Sequence, residues 1–206
     1  GDSMGFKVNT FTHILEGYKV ADKMKAHGAN ASSFSDWWGY KYEVYDAIPH
    51  NGAILHKMGV NTCFNSDDPE MARRLNQEAA KAVKYGGVSE EDAWKFVTLN
   101  PAKMLRVDDR VGSLKEGKDA DVVLWSTNPL SVYAKAERTY VDGVCLFSLE
   151  KDAEKRAFIV AEKSRLLAAM QQAKKDGVAT KPFEPQPEMH YHCDTVDDFM
   201  TETQNR

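Results

Sequence analysis

Three polar side chains, His13, Asp36 and Asp67, each follow a short run of β-forming or small residues, a pattern that could support metal-assisted chemistry. Imidazole and carboxylate groups ligate divalent ions, and such an ion lowers the pKa of its water to about 7. A carboxylate beside that water can take its proton and pass it to a leaving group. Each residue also has a structural reading. A histidine at a strand end can act simply as a hydrogen-bonding post, and Ser66-Asp67-Asp68-Pro69 is also an ordinary helix-start signal. Asp36 precedes Trp37 and Trp38, whose rings could equally fill a core. Spacing alone supports an α/β chain with a candidate site.

Those side chains need elements to position them. Residues 6–13 alternate large apolar and polar types and predict a strand. Residues 16–26 follow with helical spacing at Tyr18, Ala21 and Met24, closed by Gly28. A second strand is predicted at 29–35, a helical stretch around Pro49 at 45–57, and a third strand at 60–66. Pro69 suits a first helical turn, and Met71, Leu75, Ala79 and Val83 give a period for 71–85. Ser89 and Asp92 have capping-box spacing for a helix reaching Leu99, and Asn100-Pro101 opens a shorter one. Strands about 25 to 30 residues apart with helices between them read as parallel βαβ units. In a barrel of such units the C-terminal strand ends meet on one face, where catalytic groups sit.

After Val107 the pattern changes to short strands and tight turns, with a hairpin signal at Asp142-Gly143. Residues 150–175 form a charged helix that carries Phe158, Ile159, Leu166 and Met170. Pro182, Pro185 and Pro187 mark an extended tail. His190-Tyr191-His192-Cys193 in that tail has metal-ligand chemistry but reads as surface, and His27, His50 and His56 suit surface or packing roles. Gly1-Asp2-Ser3-Met4 reads as a cleavage scar followed by an initiator and is left out of the expected fold.

The 206 residues are 42% hydrophobic and 28% charged, as in an ordinary globular protein. A net charge of −4, with Lys and Arg scattered among acids, gives no electrostatic reason to expect nucleic acid. No apolar run approaches the roughly 20 residues that span a bilayer, so no membrane segment is expected. Cys63, Cys145 and Cys193 lie far apart, which argues against a disulfide framework and leaves the compartment unassigned.

Several stretches, taken in order, resemble one known family. They are His13-Ile14-Leu15-Glu16-Gly17, Asn65-Ser66-Asp67-Asp68-Pro69-Glu70, Arg74-Leu75-Asn76-Gln77-Glu78-Ala79-Ala80 and Thr98-Leu99-Asn100-Pro101-Ala102-Lys103. Val111-Gly112-Ser113-Leu114 through Gly117-Lys118-Asp119-Ala120-Asp121 completes the set and is its most specific part. Together they look like the second half of an amidohydrolase of the imidazolonepropionase-like group. The resemblance implies the C-terminal part of a metal-dependent (β/α)8 barrel, strands six to eight, with a small β-sandwich and a C-terminal helix. Residues 5–106 would be the partial barrel, 107–149 the sandwich segment, 150–177 the helix and 178–206 the tail. By the same resemblance His13 would end strand six as a metal or catalytic residue. Asp67 would end strand eight as metal ligand or general base, and Asp36, Trp37 and Trp38 would border the substrate pocket.

The implied activity is hydrolysis of a non-peptide C–N bond in a cyclic amide or amide, with a divalent metal, zinc above others. Deaminase and dipeptidase chemistry are alternatives within the superfamily. A non-catalytic assembly or binding module is the alternative outside it, and metal content separates the two. The family's His-x-His pair on strand one, and its ligands on strands four and five, have no counterpart here. The chain alone is therefore expected to be inactive, and either to form homo-oligomers or to associate with a missing N-terminal half. Its exposed inner face is expected to include Val8, Phe34 and Phe64.

Overall fold

Three short parallel strands, β1 (Thr10–Phe11), β2 (Asn30–Ser33) and β3 (Thr62–Phe64), lie side by side in chain order. Thr10 sits opposite Asn30, and Ala31, Ser32 and Ser33 sit opposite Thr62, Cys63 and Phe64. The protein is seen in a computed structural model that describes residues 1–35, 37–39, 41–67, 69–179 and 181. The chain divides into two units, Gly1–Glu154 and Lys155–Arg206.

Helices connect and cover the strands: α1 (Ala21–His27), α2 (Asn51–Lys57), α3 (Pro69–Ala72), α4 (Leu75–Gly86), α5 (Glu90–Lys95) and α6 (Leu99–Leu105). Side chains alternate across a strand, and burial shows which face meets the helices. Ala31 packs with Ala21, Met24, Leu55 and Val60, and Phe64 packs with Ala53, Ala82, Val88, Ala93 and Phe96. Burying each large apolar side chain here contributes about 1.5–3 kcal/mol. Phe64 therefore belongs to the helix-side core, which corrects its expected place on the open face. Ser32, Phe34, Cys63 and Asn65 alternate onto the other face.

Several expected boundaries move, for local reasons. The strand expected at 6–13 contracts to β1, because the Val8 N–H donates to His27 Nε2 (2.9 Å) instead of to a strand. The amino-terminal residues are also part of the fold: Asp2 makes hydrogen bonds to His27 (2.7 Å) and Lys7 (3.2 Å), which hold its carboxyl below the usual range. The helix expected at 71–85 breaks between α3 and α4. There the Arg74 guanidinium donates to the Glu70 carbonyl (3.2 Å), the acceptor that the Arg74 N–H would take in a continuous helix. The Arg74 N–H turns instead to Met71 (2.8 Å). The stretch expected at 45–57 becomes helical only at Asn51, past Pro49, whose ring disfavours helical backbone at the residue before it. The cap at Ser89 forms as expected, accepting from the Asp92 N–H at 3.1 Å, but α5 ends at Lys95 rather than Leu99.

Beyond α6 the chain makes turns, with no strand between 107 and 121. Strands β4 (Val122–Trp125), β5 (Ala136–Val141) and β6 (Val144–Ser148) then form an antiparallel sheet in that order. Among the described residues this is one three-stranded sheet rather than two packed sheets. The glycine-rich stretch is held by Lys118, whose Nζ reaches the Asp108 carbonyl, the Val111 carbonyl (3.1 Å) and Ser113 Oγ (2.8 Å). Gly112 has φ 84°, and a Cβ there would lie 2.7 Å from that of Ala102, so both backbone and space require glycine. The end of the stretch grips the hairpin turn. Asp121 accepts from the Asp142 N–H at 3.0 Å, and the Gly143 N–H donates to Ala120 at 3.0 Å. Asp142 and Gly143 both have positive φ (50° and 76°), the signature of a tight two-residue hairpin.

Helix α7 (Leu149–Lys175) follows, and the boundary between the two units falls within it. In the second unit Phe158, Ile159, Leu166, Leu167 and Met170 are exposed along the helix. Among the described residues no helix is long and apolar enough to cross a membrane.

Candidate functional site

His13 and Asp67 meet just beyond the C-terminal ends of β1 and β3. His13 Nε2 lies 2.8 Å from Asp67 Oδ2, and each side chain is about half exposed (49% and 48%). His13 Nδ1 lies 2.9 Å from Thr12 Oγ1. In the tautomer with the proton on Nε2, that nitrogen donates to Asp67 and Nδ1 accepts from the Thr12 hydroxyl.

His13 does not extend the strand. Its φ of 56° places it in the left-handed region, which bends the chain toward β3. The residues after it are tied down from the helix side. The Ile14 N–H donates to Ser32 (3.3 Å), and the nearly fully buried Asn51 donates to the Ile14 carbonyl (2.9 Å) and to Ser33 Oγ (3.0 Å). Asn51 also accepts from the Tyr18 N–H at 2.9 Å. One buried amide thus fixes the turn that aims His13. Two residues past β2, Ser35 bonds to the buried Glu78, which pairs with Lys81 at 2.7 Å. Asn100 secures β3 by donating to the Thr62 carbonyl at 2.8 Å.

An aromatic wall stands beside the pair. The His13 ring meets Phe34 edge-on at 5.2 Å, and Phe34 stacks on Trp37 at 3.9 Å. Trp38 is 60% exposed and Asp36 lies outside the described residues, as do Asp68 and the His190–Cys193 cluster. The structure thus brings His13, Asp67 and, through Phe34, Trp37 together. Cys63 is buried on the same face, and burial pushes its thiol up, away from the reactive thiolate.

Asn51, Ser33 and Glu78 did not stand out in the sequence. Nothing local distinguishes a buried Asn or Glu from a surface one; only the neighbours brought by distant segments do.

Imidazole nitrogen and carboxylate oxygen are both ligand types for a divalent ion, but here Nε2 and Oδ2 are hydrogen-bonded to each other, so they are ligands only once the proton between them is lost. Among the described residues no group of three or more His, Cys, Asp or Glu could hold one alone. The pair by itself is not a complete ligand set.

The parallel β-α units make this an α/β chain with a candidate site at its strand ends, and comparison with known proteins makes the family plain. The chain belongs to the amidohydrolase family, whose profile matches residues 46–180. It is 32% identical over 147 residues to amidohydrolase tasK of Hapsidospora irregularis, covering 69% of this chain and 15% of that protein. It is similar to the solved amidohydrolase of Thermotoga maritima, at 34% identity and a TM-score of 0.65, over 71% of this chain and 38% of that one. A urease alpha subunit of Haloquadratum walsbyi is 28% identical over 141 residues, covering 60% of this chain and 24% of the subunit. The chain thus spans less than half the length of each of these relatives. A solved Xaa-Pro dipeptidase with bound methionine, at 19% identity and a TM-score of 0.54, shares the fold. The family is one of enzymes, and relatives of this kind generally use divalent metals.

Proposed function

We propose that this chain is the C-terminal part of a metal-dependent hydrolase that cleaves a non-peptide C–N bond in a small amide or cyclic amide. The 2.8 Å pairing of His13 Nε2 with Asp67 Oδ2 at the ends of parallel strands carries the proposal. His13 and Asp67 would hold a divalent ion, with zinc the preferred identity. When bound, that ion supplies Lewis acidity and an acidified water. Asp67 takes the proton of the water that attacks the carbonyl carbon and delivers it to the leaving nitrogen as the C–N bond breaks. The products are a carboxylic acid and an amine. His13 binds the metal or polarises the carbonyl oxygen. Trp37, Trp38 and Asp36 border the substrate.

β1 to β3 serve as strands six to eight of a (β/α)8 barrel, and β4 to β6 as part of a small sandwich. A barrel of this kind has eight strands and about 250 residues. The missing N-terminal half is therefore the partner this chain needs, and β1 offers it an unpaired edge. Self-association of two copies is the substitute when that half is absent.

The test compares the isolated chain with the chain supplied with its missing half, each dialysed against zinc. The isolated chain should show no substantial amidase activity and should grow in mass with concentration by light scattering. The combined halves should hold stoichiometric zinc and hydrolyse amides. A monodisperse, zinc-activated monomer overturns the division of labour proposed here. Combined halves that bind no metal overturn the hydrolase reading itself.

A further inference from the structure

Glu78 is buried near the start of α4, on the side of the helix that also buries Ala79 and Ala82. Burying a carboxyl group is costly unless its oxygens find donors. Here both do: Oε2 accepts from the Ser35 hydroxyl, and Oε1 accepts from Lys81 Nζ at 2.7 Å. Lys81 lies three residues on in the same helix, so that bond ties α4 only to itself. The Ser35 bond joins α4 to a segment 43 residues earlier in the chain. Ser35 stands between the two rings of the aromatic wall. Phe34, next to it, is buried and meets the His13 ring edge-on at 5.2 Å, and Trp37 stacks on Phe34 at 3.9 Å. A chain of contacts thus runs from Glu78 through Ser35 to the wall and the His13 ring.

We infer that Glu78 is a positioning residue: by holding the Ser35 hydroxyl it sets where Phe34 and Trp37 stand against His13. It acts through Ser35 and the rings and takes no part in the chemistry. Replacing a buried polar pair by apolar groups often costs little stability. What the Ser35–Glu78 bond contributes is therefore the single arrangement of the wall that it selects. That the wall also borders a substrate rests on the hydrolase reading of the site. On that reading, loosening the wall weakens binding more than turnover.

The test uses two variants. Ser35→Ala/Glu78→Leu removes both bonded groups together. Glu78→Gln keeps a bond to Ser35, since its amide N–H donates to the hydroxyl oxygen while its carbonyl faces Lys81. The chain is labelled with fluorotryptophan, and Trp37→Phe identifies the Trp37 signal. The double variant should shift the fluorine resonance of Trp37 and the ring-proton resonances of His13, and leave those of Trp94 and Trp125 in place. Glu78→Gln should keep the wild-type spectrum. Unmoved Trp37 and His13 signals in the double variant, or displacement of every tryptophan signal alike, overturn the inference. In the full-length enzyme the probe is p-nitroacetanilide. The double variant should raise its KM about 10-fold with kcat within about threefold, and Glu78→Gln should keep both near wild type. A fall in kcat at unchanged KM would place the effect in the chemistry and overturn the positioning role. A wild-type enzyme without amidase activity counts against the hydrolase reading alone, and the resonances still decide the role of Glu78.

Discussion

In the segment carrying β1 to β3, Leu55 and Phe96 are fully buried, whereas in the β4–β6 sheet Leu124, Val144 and Leu146 keep 47%, 59% and 61% of their surface in water. The two regions draw on similar residue types and hold together differently. The first is consolidated by small side chains that let helices approach: Ala31, Ser33, Ala53, Ala79, Ala82 and Ala93. The second relies on its backbone ladder, on Lys118 gathering carbonyls and on Asp121 holding the hairpin turn. Apolar residues of like type therefore carry unequal energetic weight. The opposite face of the first region mixes Ser32 and Asn65 with the buried Phe34 and Cys63, and the candidate site lies beyond its strand ends. The apolar surface left on the sheet is of the kind that marks an interface.

The sharpest way to break this contrast is at those strand ends. In the full-length enzyme His13→Ala or Asp67→Asn should lower kcat/KM by about 10²- to 10⁴-fold. Because the pair is half exposed, the same variants should change the chain's unfolding free energy by no more than about 1 kcal/mol. Steady-state kinetics and urea titration, run together, separate the two effects. A loss of activity that merely tracks a loss of stability would mean that the pair serves the fold.

Next in size is the core contrast. Phe96→Ala should cost about 3–5 kcal/mol, since Phe96 packs on Phe64 and its removal leaves a cavity lined by Phe64, Ala53 and Ala93. Leu146→Ala should stay within about 0.5 kcal/mol in the same denaturation experiment. Comparable losses at both positions would show that something covers the small sheet in solution.

The smallest effect is local. Ser89→Ala removes the cap of α5 and should cost about 0.5–2 kcal/mol. Lys95 and then the Ser89 hydroxyl hold the Asp92 carboxyl below its ordinary 3.8. Asp92 thus adds stability above that pH, and the contribution fades as pH falls through the lowered folded value. In wild type the midpoint of urea unfolding should drop on acidification below about pH 4, and Asp92→Asn should flatten that drop. An identical acid profile in the variant would refute the assignment.

Much of the architecture could be read from spacing, because hydrophobic period and turn chemistry are local properties. The order of β-α units, the Ser89 cap and the Asp142-Gly143 hairpin are of this kind. Element ends were less legible. They turn on contacts between distant residues, such as His27 taking the Val8 N–H or Arg74 capturing the Glu70 carbonyl. The candidate site divides along the same line. His13 and Asp67 showed through their position after β-forming runs and through family resemblance. The role of the Asn51 amide shows only when the surrounding strands and helices are assembled.

The hairpin described above also sets a clock. β5 and β6 pair residues only a few positions apart across Asp142-Gly143, whereas β1 must find β2 about 20 residues away and β2 must find β3 about 30 away. Hairpins close in about 1–10 μs, and parallel pairing across intervening helices waits on longer loop closures. On dilution from denaturant the small sheet should therefore register first. His13 and Asp67, joined only through the slower parallel sheet, should come within reach of each other only at the end.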